Sequence, residues 1–136
     1  TYPFTPVPTK GARAYCISDS HGRIDEPVAA AKAIVHKYDC GAVALKSATT
    51  VVTDGERVSL NVVGTSALAK GGSGDVLTGI IGGFAVQDFG LVEAITAAVY
   101  VHGHVADVVA DNLSKSGMLP SDVVSELAST LSAFEK

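Results

Sequence analysis

The chain has no tryptophan, one methionine and two cysteines in 136 residues. Two thiols do not make a disulfide framework, so Cys16 and Cys40 are expected to be reduced in an intracellular chain. No activating neighbour marks either as a nucleophile. Charge is scarce as well: charged residues make up 18%, and the formal net charge is −4. With no run of Lys and Arg, a duplex-binding surface is excluded and no nucleic-acid partner is expected. Long apolar runs are missing too. Gly, Asp or His interrupts each hydrophobic stretch before it reaches spanning length, so no membrane partner is expected, and no signal peptide is read at the start. The four histidines, His21, His36, His102 and His104, form no ligand cluster with the cysteines, so no metal site is expected in the chain itself. His102 and His104 stand two apart on a helix and do not share a face, which makes a hydrogen-bonded helix histidine the expectation for His102.

What is present is a core. Apolar residues reach 47%, which excludes a disordered chain and suits a single domain over residues 1–136. With Thr1 first and Met118 the only methionine, the chain is expected to be processed at its start or to be part of something larger.

Three prolines make residues 1–11 extended or loop, and residues 18–25 read as a polar turn. Asp25 is a candidate N-cap with Pro27 in the first turn. Val28, Ala31, Ile34 and Val35 give a helical face to about Tyr38, ended by Gly41. Strands follow at 42–45 and 50–53. Asp54-Gly55 predicts a hairpin turn, and 56–62 is the return strand. Helices are predicted over 75–87, over 91–112 and from a Ser121 cap onward, the last with Val124, Leu127 and Leu131 inward. Gly79, Gly82 and Gly83 weaken the 75–87 helix intrinsically, so something is expected to pack close against it in a deeply buried setting. The order predicts an α/β fold, a sheet covered by flanking helices.

The strongest local feature is Gly71-Gly72-Ser73-Gly74-Asp75, a flexible loop feeding a helix N-terminus. Free N–H groups and the helix dipole favour an anion there. Asp75 has two readings, a helix cap or a carboxylate facing a bound phosphate. The spacing is neither a Walker A loop nor a dinucleotide fingerprint. Lys46, at the C-terminal end of a strand, is either a solvated strand end or a cation for phosphate.

The string Asn61-Val62-Val63-Gly64 through Gly71-Gly72-Ser73-Gly74-Asp75-Val76-Leu77-Thr78-Gly79-Ile80-Ile81, followed later by Tyr100-Val101-His102-Gly103 and Ser121-Asp122, resembles the ADP- or ATP-dependent NAD(P)H-hydrate dehydratases. The resemblance is to the C-terminal half of that family. It implies a ribokinase-like layered sheet with flanking helices, of which this chain would be the C-terminal part only. It also implies a repair reaction, in which hydrated NADH or NADPH (NADHX or NADPHX) is phosphorylated on the ring hydroxyl and restored as phosphate leaves. By position, Asp75 would be the base at that hydroxyl. Gly71, Gly72, Ser73 and Gly74 would border the nucleotide phosphates, and Lys46, Ser47, Ala48, Thr49 and Thr50 would form the strand end beside the nucleotide. ADP or ATP with Mg2+, an NAD(P)HX epimerase domain as partner, a homo-oligomer and a cytoplasmic location are further implications.

Two motifs depart from the family pattern. Its Lys-Gly-x-Gly-Thr reads Lys46-Ser47-Ala48-Thr49-Thr50, and its Thr-Pro-His-Pro-Gly-Glu reads Thr5-Pro6-Val7-Pro8-Thr9-Lys10. If positive φ or close ligand approach is needed at Ser47 and Thr49, the nucleotide site is weakened. The alternatives are another ribokinase-like small-molecule kinase, which would share Asp75 but stop at phosphoryl transfer, and a non-catalytic nucleotide-binding or structural homologue.

Overall fold

The computed structural model describes residues 4–7, 13–18, 24–64, 66–69, 71–87 and 90–135. His21 and most of the expected polar turn at 18–25 lie outside those residues, as do Pro8, Thr9, Lys10, Thr65 and Lys70.

Five strands form one sheet in sequential order: β1 (Phe4–Val7), β2 (Ala14–Ser18), β3 (Ala42–Lys46), β4 (Thr50–Thr53) and β5 (Val58–Asn61). Only β2 and β3 run parallel, with Ser18 opposite Lys46 at their C-terminal ends. The crossover between them is helix α1 (Pro27–Tyr38). Three more helices follow: α2 (Ser73–Ala85), α3 (Leu91–Leu113) and α4 (Pro120–Phe134).

Strand alternation sorts the core into two sides. Tyr15, Ile17, Val43, Leu45 and Val51 face α1, where they meet Ala31 and Val35. Ala14, Cys16, Ala42, Ala44 and Val52 face the other way and meet Leu77, Ile80 and Ile81 of α2 and Ile95, Ala98 and Val99 of α3. A third cluster joins α3 to α4 through Val101, Val105, Val109, Met118 and Val123. The layers are therefore α1, sheet, then α2 and α3, with α4 packed on the last pair.

Several boundaries differ from the sequence reading. β2 has no counterpart in that reading. Its Ala14-Tyr15-Cys16-Ile17 is buried on both sides of the sheet, so it lacks the polar alternation that marks a half-exposed strand. β1 is extended, as expected, and pairs antiparallel with β2, Pro6 standing opposite Tyr15; an edge strand tolerates a proline. The cap of α1 is Glu26, not Asp25, because Pro27 takes the first helical position and keeps its predecessor out of the helical region. The same helix ends on Asp39 in the left-handed region at φ 47°, before Gly41 is reached. Aspartate is one of the few residues that visit that region readily. α4 likewise begins at Pro120, so Leu119 rather than Ser121 holds the cap position. There the Leu119 N–H donates to Asp122 Oδ2 at 2.7 Å.

The hairpin at Asp54-Gly55 forms as predicted. Gly55 sits at φ 101°, and Asp54 Oδ1 accepts from the Glu56 and Arg57 N–H groups at 3.0 and 2.8 Å. Those bonds, with the Arg57 side chain, pull the Asp54 carboxyl down to about 2.

Candidate active site

α2 begins two residues earlier than expected, at Ser73, with Gly72 as its cap at φ 90°. A side chain at Gly72 would be strained at that φ, and its Cβ would meet the Pro120 ring at 3.5 Å. No side chain caps the helix. The first intrahelical bond runs from Val76 N–H to Gly72 O, so the N–H groups of Ser73, Gly74 and Asp75 precede the helical ladder. Asp75 is thus in the first turn and is not the cap, which removes one of its two readings. It is exposed, at one end of a groove of about 400 Å3 between α2 and α4, lined by Val76, Ile80, Phe84, Leu127 and Leu131. Val124, expected inward, lies exposed along the same groove.

Gly71 and Gly74 have open space where a Cβ would be. So do Gly79 and Gly83, which are exposed one and two turns beyond Asp75. The expectation of close packing is therefore not met at Gly79 and Gly83 within the described residues. Leu77, Ile80 and Ile81 bury one face of α2, while Gly79 and Gly83 stand exposed.

The expected strand-end residues divide by alternation. Lys46 and Thr50 lie on the α2/α3 side, Lys46 half-buried and Thr50 buried. Ser47 and Ala48 are exposed and Thr49 is half-buried. Among the described residues the only non-glycine positions with positive φ are Asp39 and Ser114. Ser47 and Thr49 therefore hold the turn between β3 and β4 without left-handed backbone, and replacing the family's glycines costs no strain there.

Burial lowers the Lys46 pKa, and Cys16 partly offsets this. Lys46 has no carboxylate partner among the described residues. Burial raises the Cys16 thiol, against which the charge of Lys46 and a hydrogen bond with Thr78 act in the opposite direction. Cys16 thus links the strand end to the second turn of α2. Thr78 Oγ1 in turn donates to the Gly74 carbonyl at 2.9 Å. Both cysteines are unbridged and buried.

The sequence reading missed His102. It is 2% exposed on α3, and its Nε2 has no hydrogen-bond partner. Burial first, and then the charge of Lys46, pushes its pKa down to about 4. Ser73 Oγ, also buried, is similarly unpartnered. His104, two residues on, is half-buried and stacks on Tyr100 at 5.9 Å, so the two histidines do occupy different faces. The signal available in sequence was the Gly after His102. A Cβ on Gly103 would run into the Val63 carbonyl and come within 3.2 Å of the Gly64 nitrogen. That close approach fixes α3 beside its histidine.

An anion-ready helix start with an exposed carboxylate in its first turn and a half-buried cation thus stand on the same side of the sheet. Among the described residues no three His, Cys, Asp or Glu side chains gather as metal ligands, and no helix is long and apolar enough to cross a membrane.

Residues 4–129 match the sequence profile of a family described as NAD(P)H-hydrate dehydratase. The bifunctional NAD(P)H-hydrate repair enzyme of Vibrio cholerae is 34% identical over 127 residues, 93% of this chain and 25% of that protein. The crystal structure of the ADP/ATP-dependent NAD(P)H-hydrate dehydratase from Bacillus subtilis, co-crystallised with ATP/Mg2+ and soaked with CoA, superposes with a TM-score of 0.71 at 30% identity, over 80% of this chain and 40% of that one. A ribokinase-like superfamily protein from Enterococcus faecalis superposes with a TM-score of 0.64 at 30% identity, over 72% of this chain and 34% of that one. The fold is thus ribokinase-like in the part present. The chain spans a quarter of the Vibrio protein's length and less than half of either solved chain.

Proposed function

The chain belongs to the NAD(P)H-hydrate dehydratase family, and from that premise we propose that it supplies the nucleotide-side part of an enzyme restoring hydrated NADH or NADPH. The observation that carries this reading is the start of α2. Three N–H groups there lack intrahelical acceptors, Gly72 holds the turn at φ 90°, and Asp75 stands exposed in the first turn. ADP or ATP would supply the phosphoryl group. The N–H groups of Ser73, Gly74 and Asp75 would hold phosphate oxygens and stabilise the charge that develops on transfer. Lys46, half-buried and without a carboxylate partner, would neutralise part of that charge. Gly71, Gly74 and the turn at Ser47, Ala48, Thr49 and Thr50 would border the nucleotide. Asp75 would take the proton from the hydroxyl under attack, which needs hydrogen-bond reach before any tuning of its acidity. Mg2+ would come with the phosphates, since this cation is usually held by one or two carboxylates plus the nucleotide itself.

The chain is further read as one unit, residues 1–136, of a larger ribokinase-like domain. The bare faces of Gly79 and Gly83, and the apolar groove beside them, support this. Exposed glycines inside a helix cost about 1 kcal/mol each relative to alanine, a cost that close packing of another segment would offset. The bifunctional relative supports a partner domain of complementary repair activity, such as an epimerase. A cytoplasmic, homo-oligomeric enzyme is part of the same proposal.

The test is to incubate the intact gene product with hydrated NADH and ADP or ATP, and to follow the reduced-nicotinamide absorbance. Recovery of that absorbance is expected. No recovery, with phosphate passed stably to another alcohol, would point to a ribokinase-like kinase instead.

A further inference from the structure

Glycine weakens a helix interior relative to alanine, so Gly103, buried in the middle of α3, needs a reason. The reason is the connector between β5 and α2. Asn61, the last residue of β5, stands opposite Thr50 in the sheet register. Its Nδ2 donates to the Val63 carbonyl at 3.0 Å, which ties the connector to the strand it has just left. Another side of that carbonyl is occupied by α3. A Cβ on Gly103 would run into the Val63 carbonyl oxygen and lie 3.2 Å from the Gly64 nitrogen. The contact is reciprocal, since a Cβ on Gly64 would stand 3.4 Å from the Gly103 Cα. Gly64 also holds φ 129°, where a side chain is strained. Backbone therefore meets backbone at this point, with no side chain between. Further along, Ala67 is buried with Val101 and Val105 of α3, and Gly72 abuts the Pro120 ring.

We propose that Gly103 is a positioning residue for the nucleotide: by letting the Val63–Gly64 backbone lie directly on α3, it sets the separation between the strand end at Lys46–Thr50 and the helix start at Ser73–Asp75. The inference rests on the nucleotide reading of the α2 start and adds the residue that fixes the distance between the two halves of the site. α3 is suited to be the common reference, because it packs on β4, β5 and α2 alike. Gly103 is itself buried under the connector, so it acts through that backbone and does not touch the ligand. Any side chain at this position has to push the connector off α3, and the strand end and the helix start then move relative to one another.

The test uses the intact gene product, with ADP and inorganic phosphate as separate probes in calorimetry. ADP spans both halves of the site, whereas phosphate needs the helix start alone. Gly103→Ala is expected to weaken ADP binding by about ten-fold and to leave phosphate binding within about two-fold, because only the longer ligand feels a misplacement of one half against the other. Asn61→Ala removes the donor to the Val63 carbonyl and adds no bulk to α3. It should weaken ADP binding by about three-fold, the usual worth of one net hydrogen bond, with phosphate again unchanged. This second variant decides the question if Gly103→Ala does not fold. Val35→Ala, a destabilising change on the α1 side, should move neither affinity in the folded protein. Native-like ADP binding by either folded variant, equal losses for both probes, or the same ADP loss in Val35→Ala would overturn the proposal and leave the nucleotide reading standing. No ADP binding by the unsubstituted protein would overturn that reading and this proposal with it.

Discussion

The two sides of the sheet are built to different standards. On the α1 side the buried Thr53 and Cys40 have partners. Thr53, fully buried, donates to the Arg57 carbonyl at 2.6 Å and accepts from the Gly55 N–H at 3.0 Å. The Cys40 thiol reaches the Ala42 carbonyl at 3.6 Å. On the α2/α3 side stand a half-buried lysine without a carboxylate among the described residues and a helix start without a side-chain cap. Among the described residues, the three orphaned buried polar atoms, on Ser73, Thr96 and His102, belong to those two helices. Natural sequences break the rules of packing and polar satisfaction chiefly where function asks for it. The α1 side is scaffold, and the proposed site lies where the rules are broken.

The comparison can be broken most sharply at Asp75. Asp75→Asn in the intact gene product should cut dehydratase turnover by about a hundred- to ten-thousand-fold, the usual worth of a positioned base. Steady-state kinetics, paired with nucleotide binding that stays near native, would check it. On the scaffold side, Leu45→Ala removes a fully buried side chain beneath α1 and should cost about 2–5 kcal/mol, read from the urea midpoint.

The third effect is one of pH. His102 titrates at about 4 in the folded chain against 6.5 ordinarily, so the unfolded chain binds the extra proton between those values. Stability contributed by the neutral imidazole is complete above about pH 6.5 and is lost as pH falls towards 4. Unfolding measured at pH 7 and pH 4.5 should differ by about 2 kcal/mol from this group. His102→Gln should lose that share of the difference, and an unchanged pH slope would count against the burial argument.

The smallest effect carries the opposite sign. Gly79→Ala places a Cβ in open space on the bare face of α2, and should stabilise the 136-residue chain by about 1 kcal/mol in thermal unfolding. If a larger assembly covers that face, the same substitution should weaken the assembly.

Much of this was legible in residue order. The α/β class, α1, the β4–β5 hairpin and α3 follow from periodicity and turn chemistry. The glycine loop was readable as an anion-ready helix start because its cause is local. What escaped was set by tertiary context. β2 looks unremarkable until α1 covers one of its faces and α2 and α3 the other. Proline at the first turn moved two helix caps by one or two residues. The glycines of α2 suggested close packing, but Gly79 and Gly83 have no such partner among the described residues. His102 looked like any helix histidine, because only the fold places it in the field of Lys46 and denies its Nε2 a bond.

The central claim is that the α2/α3 side, and not the α1 side, receives the nucleotide. The most direct measurement is a nitrogen-15 amide spectrum of the chain titrated with ADP. The account predicts that the Ser73, Gly74 and Asp75 amides shift together with those from Lys46 to Thr50, while Ala31 and Val35 of α1 stay still. Shifts confined to α1, or an α2 start that does not respond at saturating ADP, would contradict it.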